Sequence, residues 1–234
     1  MSFWDRDAER GPVATGLIGT ACVLVYILSL QVTRQLGAED AGVTPSPLAL
    51  VRLGAVLSPL VRAGEWWRTV TAVFLHGDIL HIIMNGMGLW VVGTVAEARF
   101  GRARLFVVFI VAGTVGETVT ALWNAQVLSV GASGGIFGLI ALCVVNAIRR
   151  RDRDLRARFL PWLIYGLAIG FLGGGRIDNA AHVGGLAAGA LLGLFVGEER
   201  RPSRLWTVLA FAALALVAVA FVLAAQSHAY EIWQ

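Results

Sequence analysis

The chain alternates long apolar runs with short polar breaks. A helix that crosses a bilayer needs roughly 17 to 25 mostly apolar residues. Seven stretches come near that length: 13–32, 80–96, 105–122, 133–148, 159–174, 180–196 and 205–225. Between the first two lies a long mixed segment, 37–79, too polar to span and too apolar for a free loop. Its run Leu50-Val51-Arg52-Leu53-Gly54-Ala55-Val56-Leu57, followed by Trp66-Trp67-Arg68, predicts amphipathic pieces lying in the interface.

Composition agrees with this pattern. Of 234 residues 57% are hydrophobic and 15% charged, with mean hydropathy +0.74; a soluble domain carries about 25% charged residues. The pattern predicts an all-α polytopic membrane protein. The formal charge is +4 and the pI near 9.8, but the basic residues are all Arg, and most of them cluster in short breaks between apolar runs. There is no aromatic-interleaved basic surface and no nucleic-acid motif, so nucleic acid is excluded as a partner. Cys22 and Cys143 lie inside apolar runs and read as small core residues. Residues 1–11 carry mixed charge and the apolar run after them is long enough to span, so the first helix reads as retained rather than as a cleaved signal.

Arginine placement predicts the orientation, because cytoplasmic loops are enriched in basic residues. Arg102 and Arg104 follow the second span. Arg149, Arg150, Arg151, Arg153, Arg156 and Arg158 follow the fourth, and Arg200, Arg201 and Arg204 the sixth. The opposite breaks are poor in charge: 124–132 has none, and 172–179 has only Arg176 and Asp178. The N-terminus is therefore expected in the cytoplasm and the C-terminus outside. Spans two, four and six then all run inward. His81 and Asn85 near the head of span two, Ser133 at the head of span four and His182 near the head of span six fall in one leaflet.

Those residue types suit a nucleophilic hydrolase. A serine hydroxyl becomes an effective nucleophile when a base within hydrogen-bond reach takes its proton, and a neutral histidine is suited to that task. Span four, at 16 residues, is about 24 Å long at ~1.5 Å per residue, short for a hydrocarbon core of about 30 Å. Ser133 is thus expected below the outer surface, with 124–130 dipping into the protein as a non-helical stretch lining a wet cavity. Ala181, Gly185, Gly189 and Gly193 in span six, and Gly134 and Gly138 in span four, give small-residue faces that let helix backbones approach closely. His81 and Asn85, one turn apart, project from one face toward a developing oxyanion, together with the Ser133 N–H.

On these motifs the chain resembles the rhomboid intramembrane serine proteases, over roughly 66–193. The GxSG motif stands as Gly131-Ala132-Ser133-Gly134. The second-span pattern stands as His76, His81 and Asn85, and the sixth-span AHxxGxxxG as Ala181, His182, Gly185 and Gly189. Trp67-Arg68 matches the loop Trp-Arg pair, and Gly93, Glu97 and Gly101 match GxxxExxxG. The resemblance implies a six-helix bundle plus a C-terminal seventh helix. It implies a Ser133–His182 dyad without an acid, an oxyanion hole of His81, Asn85 and the Ser133 N–H, supporting roles for Gly131 and Gly134, and no metal or cofactor. Phe137 stands where many relatives have a tyrosine stacked on the catalytic histidine. The expected division is a cytoplasmic tail at 1–12, a protease core at 13–197 with its outer loop at 37–79, and a loop, seventh helix and outer tail at 198–234. The expected setting is a plasma (inner) membrane, and the expected partners are transmembrane protein substrates, cleaved near the outer end of their single span, and the lipid bilayer.

Other residues read as structural. Trp66, Trp67 and Arg68 are expected to order the long loop, and Glu97 to anchor the break after span two. His76 reads as a surface or loop-packing group. Glu117, in the outer half of span three beside Thr118 and Thr120, divides evenly between a protonated packing group and part of a water path. His228 reads as a solvated tail residue. Gly131 to Gly135 also satisfies GxSxG, but that nucleophile elbow requires a strand before it and a soluble α/β sheet. Neither HExxH nor GxGD occurs. No internal repeat of broken helices suggests a transporter. The alternative kept is a catalytically silent rhomboid-like protein that binds or escorts membrane proteins.

Overall fold

The structure is a computed structural model and describes residues 11–37, 42–123, 128–172, 178–198 and 201–228. The chain runs through α1 (Val13–Gln35), α2 (Pro47–Arg52), β1 (Val56–Leu57), α3 (Ser58–Arg62) and α4 (Arg68–Thr71), then a 3₁₀ turn (Ala72–Phe74). It continues through α5 (Ile79–Phe100), α6 (Arg102–Trp123), β2 (Leu128–Ser129), α7 (Ser133–Arg150), α8 (Arg153–Leu172), α9 (Asn179–Phe195) and α10 (Arg204–Gln226). All seven stretches expected to span are helices. Among the described residues α1, α5, α6, α7 and α10 are long and apolar enough to cross a membrane, and α9 is a shorter apolar helix. This is an all-α polytopic membrane protein with a rhomboid-like six-helix bundle and a seventh, C-terminal helix.

Each boundary has a local cause. Asp78 caps α5 by accepting from the His81 N–H (2.7 Å), and Gly101, with φ +79°, ends it. Asp178 caps α9 through the Ala181 N–H (3.1 Å). A carboxylate in that position takes an orphan donor and faces the positive end of the helix dipole. α1 begins after Pro12 and has no cap of its own. Glu97 of α5 supplies one, accepting from the N–H groups of Ala14 (3.0 Å) and Thr15 (2.8 Å) and from the Thr15 hydroxyl (2.8 Å). Glu97 also pairs with Arg102 at 3.4 Å, so it anchors the following break as expected and holds the first helix as well.

The structure sharpens three expectations. The stretch 149–158 is not all loop: Asp152 caps α8 by accepting from the Leu155 N–H (2.9 Å), so Arg153, Arg156 and Arg158 lie on the first turns of the helix. That hydrogen bond, and after it Arg99, holds Asp152 below the usual carboxylate range. The short pieces of the long segment after α1 pack together as one unit. Leu50, Ala55 and Leu75 form a buried cluster, and β1 pairs antiparallel with β2, Val56 opposite Ser129 and Leu57 opposite Leu128. Third, His76, read as a surface or loop-packing group, takes the second role: it is fully buried. The non-helical stretch before Ser133 is pinned at 128–129 by the ladder; 124–127 lie outside the described residues.

α7 occupies the centre, with 72% of its apolar window buried against 11% for α10. Its contacts with α9 and α6 are made at glycines. A methyl on Gly185 would land on the Gly134 carbonyl, one on Gly189 on the Gly138 carbonyl, and one on Gly116 on the Ala181 carbonyl. Without Cβ atoms these backbones meet, which brings side chains on α7 and α9 into direct contact. At the end remote from Ser133, Arg99 bridges Asp152 (2.6 Å) and Glu198 (3.1 Å). Arg150 reaches Glu198 (3.2 Å), and Arg149 donates to the carbonyls of Gly193 (3.0 Å) and Leu194 (2.6 Å).

Candidate active site

Ser133 is the first residue of α7, following Ala132. In that position its N–H has no intrahelical acceptor and points out of the positive end of the helix. His182 lies one turn into α9, its backbone N–H donating to the Asp178 carbonyl (3.3 Å). The glycine contacts between α7 and α9 set His182 Nε2 2.9 Å from Ser133 Oγ. With the hydroxyl donating to Nε2, the proton sits on Nδ1, which is buried and has no hydrogen-bond partner among the described residues. The Phe137 ring stacks on His182 with centroids 4.3 Å apart and planes at 25°. Gly166 of α8 backs that ring, since a Cβ there would stand 2.6 Å from Phe137 Cζ.

The remaining expected residues gather on the same side. Gly131 has φ +137°, a region that glycine alone adopts without strain. Its N–H donates to the Ala72 carbonyl (2.9 Å), and a Cβ on it would meet His81 Nε2 at 2.8 Å and Ser133 Oγ at 3.8 Å. The His81 ring therefore lies over the turn that delivers Ser133. Asn85 is buried and donates one N–H to the His81 carbonyl (2.9 Å), which leaves its second N–H for another acceptor. His76 stacks edge-on against His81, centroids 5.1 Å apart. Burial, with His81 as a neighbour, pushes His76 down to about 3, so it supports His81 as a neutral ring. The structure brings together Ser133, His182, His81, Asn85, Gly131, Gly134 and Phe137.

Arg68 serves the loop. Buried, it donates to Glu65 (2.5 Å) and to the carbonyls of Val51 (2.7 Å) and Ala55 (3.1 Å). Sequence reasoning treated Asp178 only as a loop charge and left out Ser129. Both adjoin the site, because Asp178 Oδ2 accepts from Thr120 Oγ1 and Ser129 Oγ, each at 2.6 Å. An Asp directly before an apolar run that begins Asn-Ala-Ala-His was the available signal, as a helix cap.

The structure thus sets a serine and a histidine in contact on facing ends of two helices of a multi-pass helical protein, with His81 over the adjoining turn. Comparison with known proteins identifies the family. The Rhomboid domain family matches residues 63–199. Rhomboid protease GluP of Bacillus subtilis (strain 168) is 34% identical over 174 residues, 71% of this chain and 34% of that protein. RHOMBOID-like protein 5 of Arabidopsis thaliana is 34% identical over 180 residues, 74% of this chain and 57% of that protein. Rhomboid-like protease 3 of Toxoplasma gondii is 30% identical over 192 residues, covering 78% and 68% respectively. The chain thus spans between a third and somewhat over half of the first two of these relatives. The chain belongs to the rhomboid family.

Proposed function

We infer that the protein is an intramembrane serine endopeptidase working through a Ser133–His182 dyad. The observation that carries this reading is the 2.9 Å contact between His182 Nε2 and Ser133 Oγ. Ser133 Oγ attacks the scissile carbonyl carbon as its proton passes to His182 Nε2. The resulting oxyanion accepts from the Ser133 N–H, the free Asn85 N–H and His81 Nε2. His182 then returns the proton to the departing amine. Water, activated by the same histidine, releases the acyl group from Ser133. Phe137 and the Gly131 turn hold the two partners in register.

The substrates are single-span membrane proteins cut near the outer end of their transmembrane segment, in a plasma membrane with the N-terminus of the enzyme cytoplasmic. What supports the orientation is the run of arginines at the end of the bundle remote from Ser133. The core is 13–197, with a tail before it and the seventh helix after it. The test is cleavage of a single-span reporter by the purified protein in liposomes, with product masses read in the presence of a chelator. A cut in the outer leaflet that Ser133→Ala and His182→Ala each abolish is expected. Absence of cleavage across a panel of reporters, with no fluorophosphonate labelling of Ser133, would sink the reading in favour of a protein that binds and escorts membrane proteins.

A further inference from the structure

Two carboxyl groups meet beside the site, and only one of them is provided for. Asp178 is fully engaged as an acceptor. Its Oδ2 takes hydrogen bonds from Thr120 and Ser129 at 2.6 Å each, and its Oδ1 takes the Ala181 N–H at 3.1 Å. Both of its oxygens are thus acceptors, of three donors in all. Glu117 of α6 is 2% exposed and lies against the same Ser129 hydroxyl and against Asp178. Its Oε2 has no hydrogen-bond partner among the described residues.

Among the described residues the surrounding charges do not neutralise Glu117. α9 brings Asp178 and His182, and α5 brings His81, with Asp78 at its cap. Arg62, the last residue of α3, is spent on the carbonyls of Ala121 and Leu122, and Arg68 of α4 on Glu65 and two loop carbonyls. α7 and α10 carry charge only at their far ends, at Arg149, Arg150 and Arg204, and Arg34 at the end of α1 is exposed. The Ser129 hydroxyl has one proton, and Asp178 receives it. A second anion beside it would find no donor among the described residues and would repel Asp178.

We propose that Glu117 holds a proton and donates it to Ser129 Oγ, so that a chain from Glu117 through Ser129 to Asp178 seats His182 against Ser133. The proposal rests on the proteolytic reading above for its effect on cleavage. Through this chain three separate elements meet at one carboxylate: α6 through Glu117 and Thr120, β2 through Ser129 four residues before Ser133, and α9 through its cap four residues before His182. Glu117 and Asp178 touch no substrate and are positioning residues. When Glu117 loses its proton the chain reverses its polarity at Ser129, two anions face each other, and the cap of α9 loosens.

The experiment compares wild type, Glu117→Gln and Glu117→Leu in detergent and in liposomes. Glutamine keeps a donor toward Ser129 and cannot ionise; leucine keeps neither. Three results are expected. The infrared carbonyl band of a protonated carboxyl is present in wild type at neutral pH and absent in Glu117→Gln. The unfolding midpoint of wild type falls relative to Glu117→Gln as pH rises, because the proton is bound in the folded state and lost in alkali. In cleavage, kcat of wild type falls several-fold in alkali at nearly constant KM, Glu117→Gln is flat over the same range, and Glu117→Leu is low in kcat throughout. A missing band, or an alkaline profile that Glu117→Gln leaves unchanged, overturns the proposal. If no variant cleaves any reporter, the proteolytic reading fails by itself, while the band and the midpoint still decide where the proton is.

Discussion

At the scale of single residues, the site depends on atoms that are missing as much as on those present. Gly185 faces the Gly134 carbonyl with no room for a methyl group, so Gly185→Ala must part α7 from α9. Overpacking costs about 1–3 kcal/mol. Here the obstacle is backbone, so the cost lies at the upper end, and the same parting draws His182 from Ser133. Gly185→Ala is expected to lower the thermal midpoint and to lose nearly all cleavage, whereas Gly16→Ala, where nothing lies within 4 Å, is expected to change neither. A thermal melt paired with the reporter assay checks both. His76 gives a pH prediction. Its value falls from 6.5 in the unfolded chain to about 3 in the fold, first through burial. Below 6.5 the unfolded state binds a proton that the fold refuses. Stability conferred by the neutral ring is therefore complete above 6.5 and declines as pH falls from 6.5 toward 3. His76→Phe is expected to flatten that part of the midpoint-versus-pH curve, and an unchanged slope would place the acid sensitivity elsewhere.

At the scale of elements, what binds a helix to its neighbours decides what its sequence reveals. α1 begins without a cap, and Glu97 from α5 takes three of its donors. Hydrogen bonds to a charged group contribute about 1.5–3 kcal/mol each in favourable cases, so Glu97→Ala is expected to free the start of α1. Hydrogen exchange measured at residues 14–18 should accelerate in that variant while exchange in α7 stays slow. The seven long helices were legible because a membrane span must be apolar for about twenty residues, and their ends agree with the sequence reading to within a few positions, apart from the start of α8. That start was hidden because its first turns carry Arg153, Arg156 and Arg158, and only the cap at Asp152 reveals it. The pairing of Ser133 with His182 was legible from the small residues around each. The partner of Glu97 was not, since 82 residues separate it from Thr15 and neither position carries a local pattern. The two-residue ladder of β1 and β2 was hidden for the same reason. Glu117, evenly balanced in the sequence between a packing role and a water path, carries no local pattern that points to Asp178 and Ser129, 61 and 12 residues away.

At the scale of the whole molecule, the peripheral seventh helix reaches the site's supporting loop at one point. α10 is largely exposed, but Ala220 and Ala224 are buried, and Ala224 stands against Gly54, whose φ of +94° turns the loop back beneath Thr71. Phe221 packs on Phe74 at 6.0 Å. Just past the helix, Ser227 donates to Glu65 (2.8 Å) and accepts from Arg68 (3.5 Å). The same Arg68 holds the carbonyls of Val51 and Ala55, and the next residue, Val56, opens the strand that pairs with β2 ahead of Ser133. A route therefore runs from α10 through Arg68 to the ladder and the Gly131 turn. Taking away Arg68 leaves Glu65 without its charged partner and takes a donor from the carbonyls of Val51 and Ala55, a loss of about 3–5 kcal/mol by the measure of a broken buried pair. Ser227→Ala removes one neutral donor and should cost about 1 kcal/mol. Ending the chain before Arg204 removes the whole contact while sparing 63–199, the stretch shared with the Rhomboid domain. That truncated protein is expected to show faster hydrogen exchange at 50–57 and 68–75 and a lower thermal midpoint, yet still to label at Ser133 with a fluorophosphonate. Labelling that disappears with α10 would make the seventh helix part of what holds Ser133 and His182 together, rather than a brace on the loop beside them.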